Sequence, residues 1–164
     1  MSALTIAVVA GGVALVGGAL IAVVVTVVLA RRVGGARGAQ HERLVRDGRP
    51  PALQASANSL GHDRAGTRQI RGAGALALTD DQVRFMLGMP RRELVIDLAD
   101  VATAEAADGF RRPGYRVRTG SGHALILEMD RPEPWRVAWQ LPDAGAWAVR
   151  IQEAARLSRP ADGW

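Results

Sequence analysis

The residues of this chain whose types can do chemistry are few: three histidines (His41, His62, His123), an acidic pair at Asp80-Asp81, and Ser121 between two glycines. A metal centre needs several ligands gathered at ligand spacing. The histidines lie in separate segments, none has a second His near it, and the 164 residues include no cysteine. Asp80-Asp81 sits within Thr79-Asp80-Asp81-Gln82, a polar run that a turn accounts for without any acid–base role. Ser121 has neither a strand-to-helix elbow nor an identifiable base, and His123 beside it reads as a strand end. No nucleophile, base and acid converge. The expectation is a protein that is not an enzyme, uses no metal or cofactor, and identifies no small-molecule substrate.

The arginines carry more information. All 21 basic side chains are arginine, and they are unevenly placed. Residues 31 to 72 hold nine of them against three acids, Glu42, Asp47 and Asp63; residues 73 to 164 hold twelve against thirteen acids. A nucleic-acid reader would carry its positive charge on the folded domain, so no nucleic acid is expected as partner. A basic excess beside an apolar segment fits an anionic membrane surface.

That apolar segment is Ala3 to Ala30, 28 residues without a charge, closed by Arg31-Arg32. As a helix it would reach roughly 42 Å, against a hydrocarbon core of about 30 Å. It lacks the basic leading region and the small-residue cleavage site of a signal peptide. A core helix would not stay apolar on every face for this length. The expectation is a transmembrane anchor over residues 1–32. Arginines follow it and none precede it, which puts the N-terminus outside and the rest in the cytoplasm, at the inner membrane. Ala7, Ala10, Ala14, Gly17 and Gly18 share one helical face, narrow enough for another span to pack closely; a composition rich in Ala and Gly also produces such faces by chance.

Val33 to Gly38 is too glycine-rich for a stable helix by propensity. Gln40 to Arg46 permits a short helical turn, which Asp47-Gly48 and Pro50-Pro51 break. Residues 33–50 are therefore expected to be a flexible basic linker, with the folded domain over 51–159 and a tail at 160–164.

Within that domain the apolar pattern alternates. Leu76 and Leu78 share a face, as do Val83, Phe85 and Leu87, then Leu94, Ile96 and Leu98. Tyr115 and Val117, Leu125, Leu127 and Met129, and Trp135, Val137 and Trp139 do the same. Weaker strands are expected at 52–60 and 101–106. Period-two alternation marks half-buried antiparallel strands, and the stretches 88–91, 109–114, 119–122 and 130–134 separate them. The end of the chain changes period. Asp143 is placed to cap a helix, and Trp147, Ile151, Ala154 and Ala155, with Leu157 or Ser158 beyond, form its apolar stripe up to Arg159-Pro160. Trp135, Trp139 and Trp147 are expected in the core, and Trp164 in a free end or at the bilayer interface.

The run from Arg71 to Phe85 (a small-to-apolar strand, a Thr-Asp turn, an apolar strand ending in Phe), its continuation Pro90 to Val101, and the closing Trp139 and Trp147 together resemble the pleckstrin-homology-like domains of GRAM and bacterial type. The order of one span and then such a domain is also similar to small actinobacterial membrane proteins of unknown function. The resemblance covers residues 52 to 158 and implies a seven- or eight-stranded antiparallel barrel capped by a C-terminal α-helix. No phosphoinositide-binding motif accompanies it. It implies that the loops after the first and third strands open at one end. Arg64, Arg68 and Arg71 would then meet Arg91 and Arg92 at a lipid- or anion-binding mouth, with Arg111 and Arg112 in a loop at the other end. The bland alternative is that arginine, as the only basic residue type, occupies every surface. The function expected is binding or scaffolding at the inner membrane surface, with the lipid bilayer as partner. The alternative is a protein-interaction subunit of an envelope complex, with another membrane protein as partner.

Overall fold

The computed structural model describes residues 34–64, 66–112, 114–119, 123–130 and 132–159. The expected span at 3–30, its small-residue face at Ala7, Ala10, Ala14, Gly17 and Gly18, and also Ser121 and Trp164 lie outside them. Among the described residues no helix is long and apolar enough to cross a membrane.

The alternating segments form strands β1 (Leu53–His62), β2 (Gly72–Leu78), β3 (Gln82–Leu87), β4 (Arg92–Asp97), β5 (Val101–Ala107), β8 (Ala124–Met129) and β9 (Trp135–Gln140). They make one antiparallel sheet in the order β4-β3-β2-β1-β9-β8-β5. Two further strands, β6 (Gly109–Arg112) and β7 (Tyr115–Arg118), pair with each other as a separate hairpin. The stretch 109–114, expected to separate strands, is thus partly a strand itself.

Strand alternation sends Leu76, Val83, Phe85, Leu87, Leu125, Leu127, Val137 and Trp139 to one side, where they form a single buried core. Residues of β3, β4, β5 and β8 share that core, so the sheet curls round it. A short 3-10 turn, Leu98–Asp100, joins β4 to β5, and its Leu98 N–H bonds the Asp81 carbonyl at 2.8 Å. The C-terminal helix α2 (Ala144–Ser158) packs on this turn, β5 and β8. It buries Ala144, Trp147, Ala148, Ile151 and Ala155, close to the expected stripe. Leu157 points away, at 86% exposure. Asp143 stands at the N-cap position but makes no side-chain capping bond. The Gln152 side-chain oxygen Oε1 accepts the Ala104 N–H of edge strand β5 at 2.9 Å, so α2 covers that edge.

The expected linker is a helix. Residues 34–46 form α1, despite Gly34, Gly35 and Gly38. Its end is a Schellman-type cap: Gly48 adopts φ +72°, its N–H reaches the Val45 carbonyl at 3.1 Å, and the Arg49 N–H reaches that of Leu44 at 2.8 Å. Asp47-Gly48 thus terminates a helix, as a turn signal should. Docking outweighs propensity here: Leu44 is 1% exposed and Gln40 also 1%. The folded unit therefore begins before Pro51.

Candidate functional site

Two elements cover the outer face of the sheet, and the arginines fall on or beside them. Directly opposed residues share a face, which places Gln54, Ala77 and Arg84 side by side across β1, β2 and β3. α1 lies over them. The Gln54 amide donates to the Arg37 carbonyl at 2.8 Å and to the Gln40 side-chain oxygen at 3.1 Å. Gln40 in turn donates to the Arg84 carbonyl at 3.2 Å. Ala75 and Ala77 lie among these contacts and are wholly buried. Glu93 holds Arg43 of α1 at 3.0 Å and Arg84 of β3 at 3.2 Å. Arg49, just past the helix, reaches Asp81 at 3.2 Å and Gln82 at 2.9 Å.

The topology brings the β1–β2 and β3–β4 loops to one end, since Leu87 registers with both Gly74 and Arg92. The five arginines expected at one mouth nevertheless divide into two groups. Arg91 and Arg92 stand beside α1, lining with Ala39, Arg43, Met86 and Glu93 a shallow cleft of about 270 Å³. Arg64 places its guanidinium over the Trp135 ring of β9, 6.0 Å from the centroid. Arg68 contributes its carbonyl to the His62 ring at 3.4 Å, and Arg71 lies along Gly61. Four strand spacings separate β4 from β9, on the order of 19 Å along the sheet. The structure therefore joins Arg91 to Arg92 and leaves Arg64 apart from them.

The β1–β2 loop is held from within. Gln69 accepts the His62 N–H at 3.1 Å and donates to the His62 carbonyl at 2.9 Å. The buried His62 ring stands edge-on to Trp135 at 6.0 Å. Its role is structural, and among the described residues no group of His, Cys, Asp or Glu can hold a metal ion. Asp80-Asp81 forms a turn as expected, with the buried Thr79 hydroxyl donating to Asp81 at 3.0 Å.

The second cover is the β6–β7 hairpin. Phe110 and Val117 pair across it and face the sheet, over a small separate core of Leu60, Ala124, Ile126 and Ala138. Phe110 is 1% exposed. The alternate positions face away: Arg111 directly opposite Arg116, and Gly109 opposite Arg118. A side chain at Gly109 would collide with the Val117 carbonyl, so only glycine lets the strands approach here. Arg111, Arg116 and Arg118 line one cleft of about 680 Å³, with Asp108 and Thr119 at its edge. Among the described residues none of the three forms an ion pair. Arg111 and Arg112, expected in a loop at the far end, thus belong to strand β6, with Arg111 on the face turned away from the sheet. The sequence signal was present: Arg116 and Arg118 bracket Val117 at strand spacing. Their partner strand was hidden inside a Gly- and Pro-bearing stretch.

Neither a protein-family model nor a curated protein matches the chain. Among solved structures, the C-terminal domain of an unknown protein from Leishmania infantum is similar over 73% of this chain and 96% of that one, with a TM-score of 0.47 at 9% identity.

Proposed function

We propose that this chain is a single-span membrane protein whose pleckstrin-homology-like domain binds or scaffolds, without catalysis, at the cytoplasmic face of the inner membrane. The observation that carries this reading is the docked helix α1. Only residues 31 to 33 separate its described start from the uncharged stretch ending at Ala30. From residue 34 to the buried Leu44 the helix advances about 15 Å. An anchor at 3–30 would therefore hold the domain close to the bilayer surface, at a set angle, where a floppy tether would let it roam. The seven-stranded antiparallel sheet, the C-terminal helix over edge strand β5 and the turn that leads into it, and the two loops at one end support the pleckstrin-homology-like assignment.

The test is membrane integration and topology of the full chain. Resistance to carbonate extraction, with activity of a cytoplasm-dependent reporter fused after Trp164, is expected. Release by carbonate, or activity of an export-dependent reporter there, would overturn the reading.

One observation favours a protein-interaction role beside it. Val149 and Leu157 on α2 are 59% and 86% exposed, and a groove of about 520 Å³ runs between α2 and the start of β1, lined by Leu53, Leu78, Arg150 and Leu157.

A further inference from the structure

The outward face of the β6–β7 hairpin is built in a way that stability alone does not explain. Arg111 and Arg116 are directly opposite each other. Like charges in that position destabilise a strand pair. Arg118 adds a third guanidinium to the same cleft. Residues 73 to 164 carry twelve arginines and thirteen acids, yet the twelve residues from Asp108 to Thr119 hold four of those arginines and one of those acids. The rest of that half holds eight arginines against twelve acids, so the hairpin stands out as a net-positive stretch in a net-acidic half. Tyr115, 55% exposed at the start of β7, adjoins Arg116 but alternates to the other face, so it is a neighbouring position and not a member of the arginine cluster.

Position agrees with charge. β1 carries both covers on its outer face: Gln54 touches α1 at Arg37, and Leu60 packs under the hairpin. Six residues separate them, about 20 Å along the strand. The hairpin thus sits on the face from which the chain leaves towards its N-terminal stretch. Each cleft has one acid in its lining, Asp108 here and Glu93 at Arg91 and Arg92, but Glu93 forms ion pairs with Arg43 and Arg84, whereas among the described residues Arg111, Arg116 and Arg118 form none.

We infer that the Arg111, Arg116 and Arg118 face of the hairpin is the domain's contact with the phosphates of anionic lipid headgroups. Arginine presents a planar fork of donors matched to phosphate oxygens. Three such groups on one rigid hairpin hold the domain down more firmly than scattered charges do. The inference rests on the membrane-surface reading above.

The test uses the full chain in nanodiscs. The protein has no cysteine, so Tyr115→Cys gives a single attachment point for a fluorophore, read by quenching from headgroup-labelled lipid. Stronger quenching is expected in discs of equal parts phosphatidylglycerol and phosphatidylcholine than in phosphatidylcholine alone. Replacing Arg111, Arg116 and Arg118 together by Gln should bring quenching down to the neutral-lipid level. At about fivefold per arginine, the docked-to-undocked ratio falls on the order of a hundredfold. Arg91→Gln with Arg92→Gln should leave it nearly unchanged. The thermal midpoint of the triple variant, equal to or above that of the parent, shows that the loss is not misfolding.

Equal quenching in the two lipids, no effect of the triple variant, or an equal loss in the Arg91/Arg92 variant would each overturn the proposal. The first of these would leave an acidic protein segment as the better occupant. Carbonate extraction of the same preparation scores the anchor separately. If the chain is stripped, flotation of that full chain with phosphatidylglycerol vesicles reads the hairpin on its own: binding lost in the triple variant upholds it, and no binding overturns it.

Discussion

Helix α1 and the β6–β7 hairpin cover the same outer face of the sheet and hold it by opposite means. α1 attaches through polar groups. Its one fully buried apolar side chain is Leu44; the rest of the joint is Gln40 and Gln54, the Arg43–Glu93 pair, and Arg49 on Asp81 just beyond. The hairpin attaches through the buried Phe110 and the half-buried Val117, and has no ion pair on its upper side among the described residues. Carboxylates thus answer cations where a segment must be held at a set angle. Cations stand unanswered where the surface is left open to something else. Directional bonds set orientation, whereas apolar contact sets only proximity.

The largest test of this contrast is Phe110→Ala. It empties the centre of a small core, and the expected cost is about 3 kcal/mol, at the low end for a buried aromatic because the cluster has few members. Thermal unfolding followed by tryptophan fluorescence should show it, with amide exchange rising across 109–118. An unchanged melting point would mean that the hairpin rides on the sheet without being anchored to it.

Leu44→Ala comes next, at about 2 kcal/mol. Its expected signature is local: faster amide exchange over 34–46, with the sheet unaffected. If exchange in α1 stays slow, the polar contacts alone hold the helix and Leu44 is incidental. If the whole domain loosens, α1 is part of the folding unit and not an added cover.

The smallest effect has the opposite sign. Arg116→Glu turns the like-charge pair with Arg111 into an attractive one and should raise stability by about 0.5 kcal/mol. A small upward shift of the melting point is the expected result. A fall would show that Arg116 contributes to the fold, and the two covers would then differ less than their charges suggest.

The inner face of this protein is legible in the sequence because one-sided burial writes itself as alternation. Leu76 and Leu78, Val83, Phe85 and Leu87, and Leu125, Leu127 and Met129 announce strands whichever elements they face. The helical spacing of Trp147, Ile151 and Ala155 announces α2, and Asp47-Gly48 announces a stop. The outer face is not legible in this way. Ala75 and Ala77 are wholly buried, yet small residues alternating with Leu76 and Leu78 read as the open side of a strand. α1 opposes its own propensity, since its glycines argue against a helix and only contacts distant in sequence, such as Gln40 to Arg84, make one. Which arginines meet was likewise a tertiary decision. Strand spacing keeps Arg64 from Arg91 and Arg92, although their loops share an end. The register of a hairpin sets Arg111 opposite Arg116. Local periodicity reports how a segment is buried on one side; pairing register and second covers depend on residues far away in the chain, and no local window contains them.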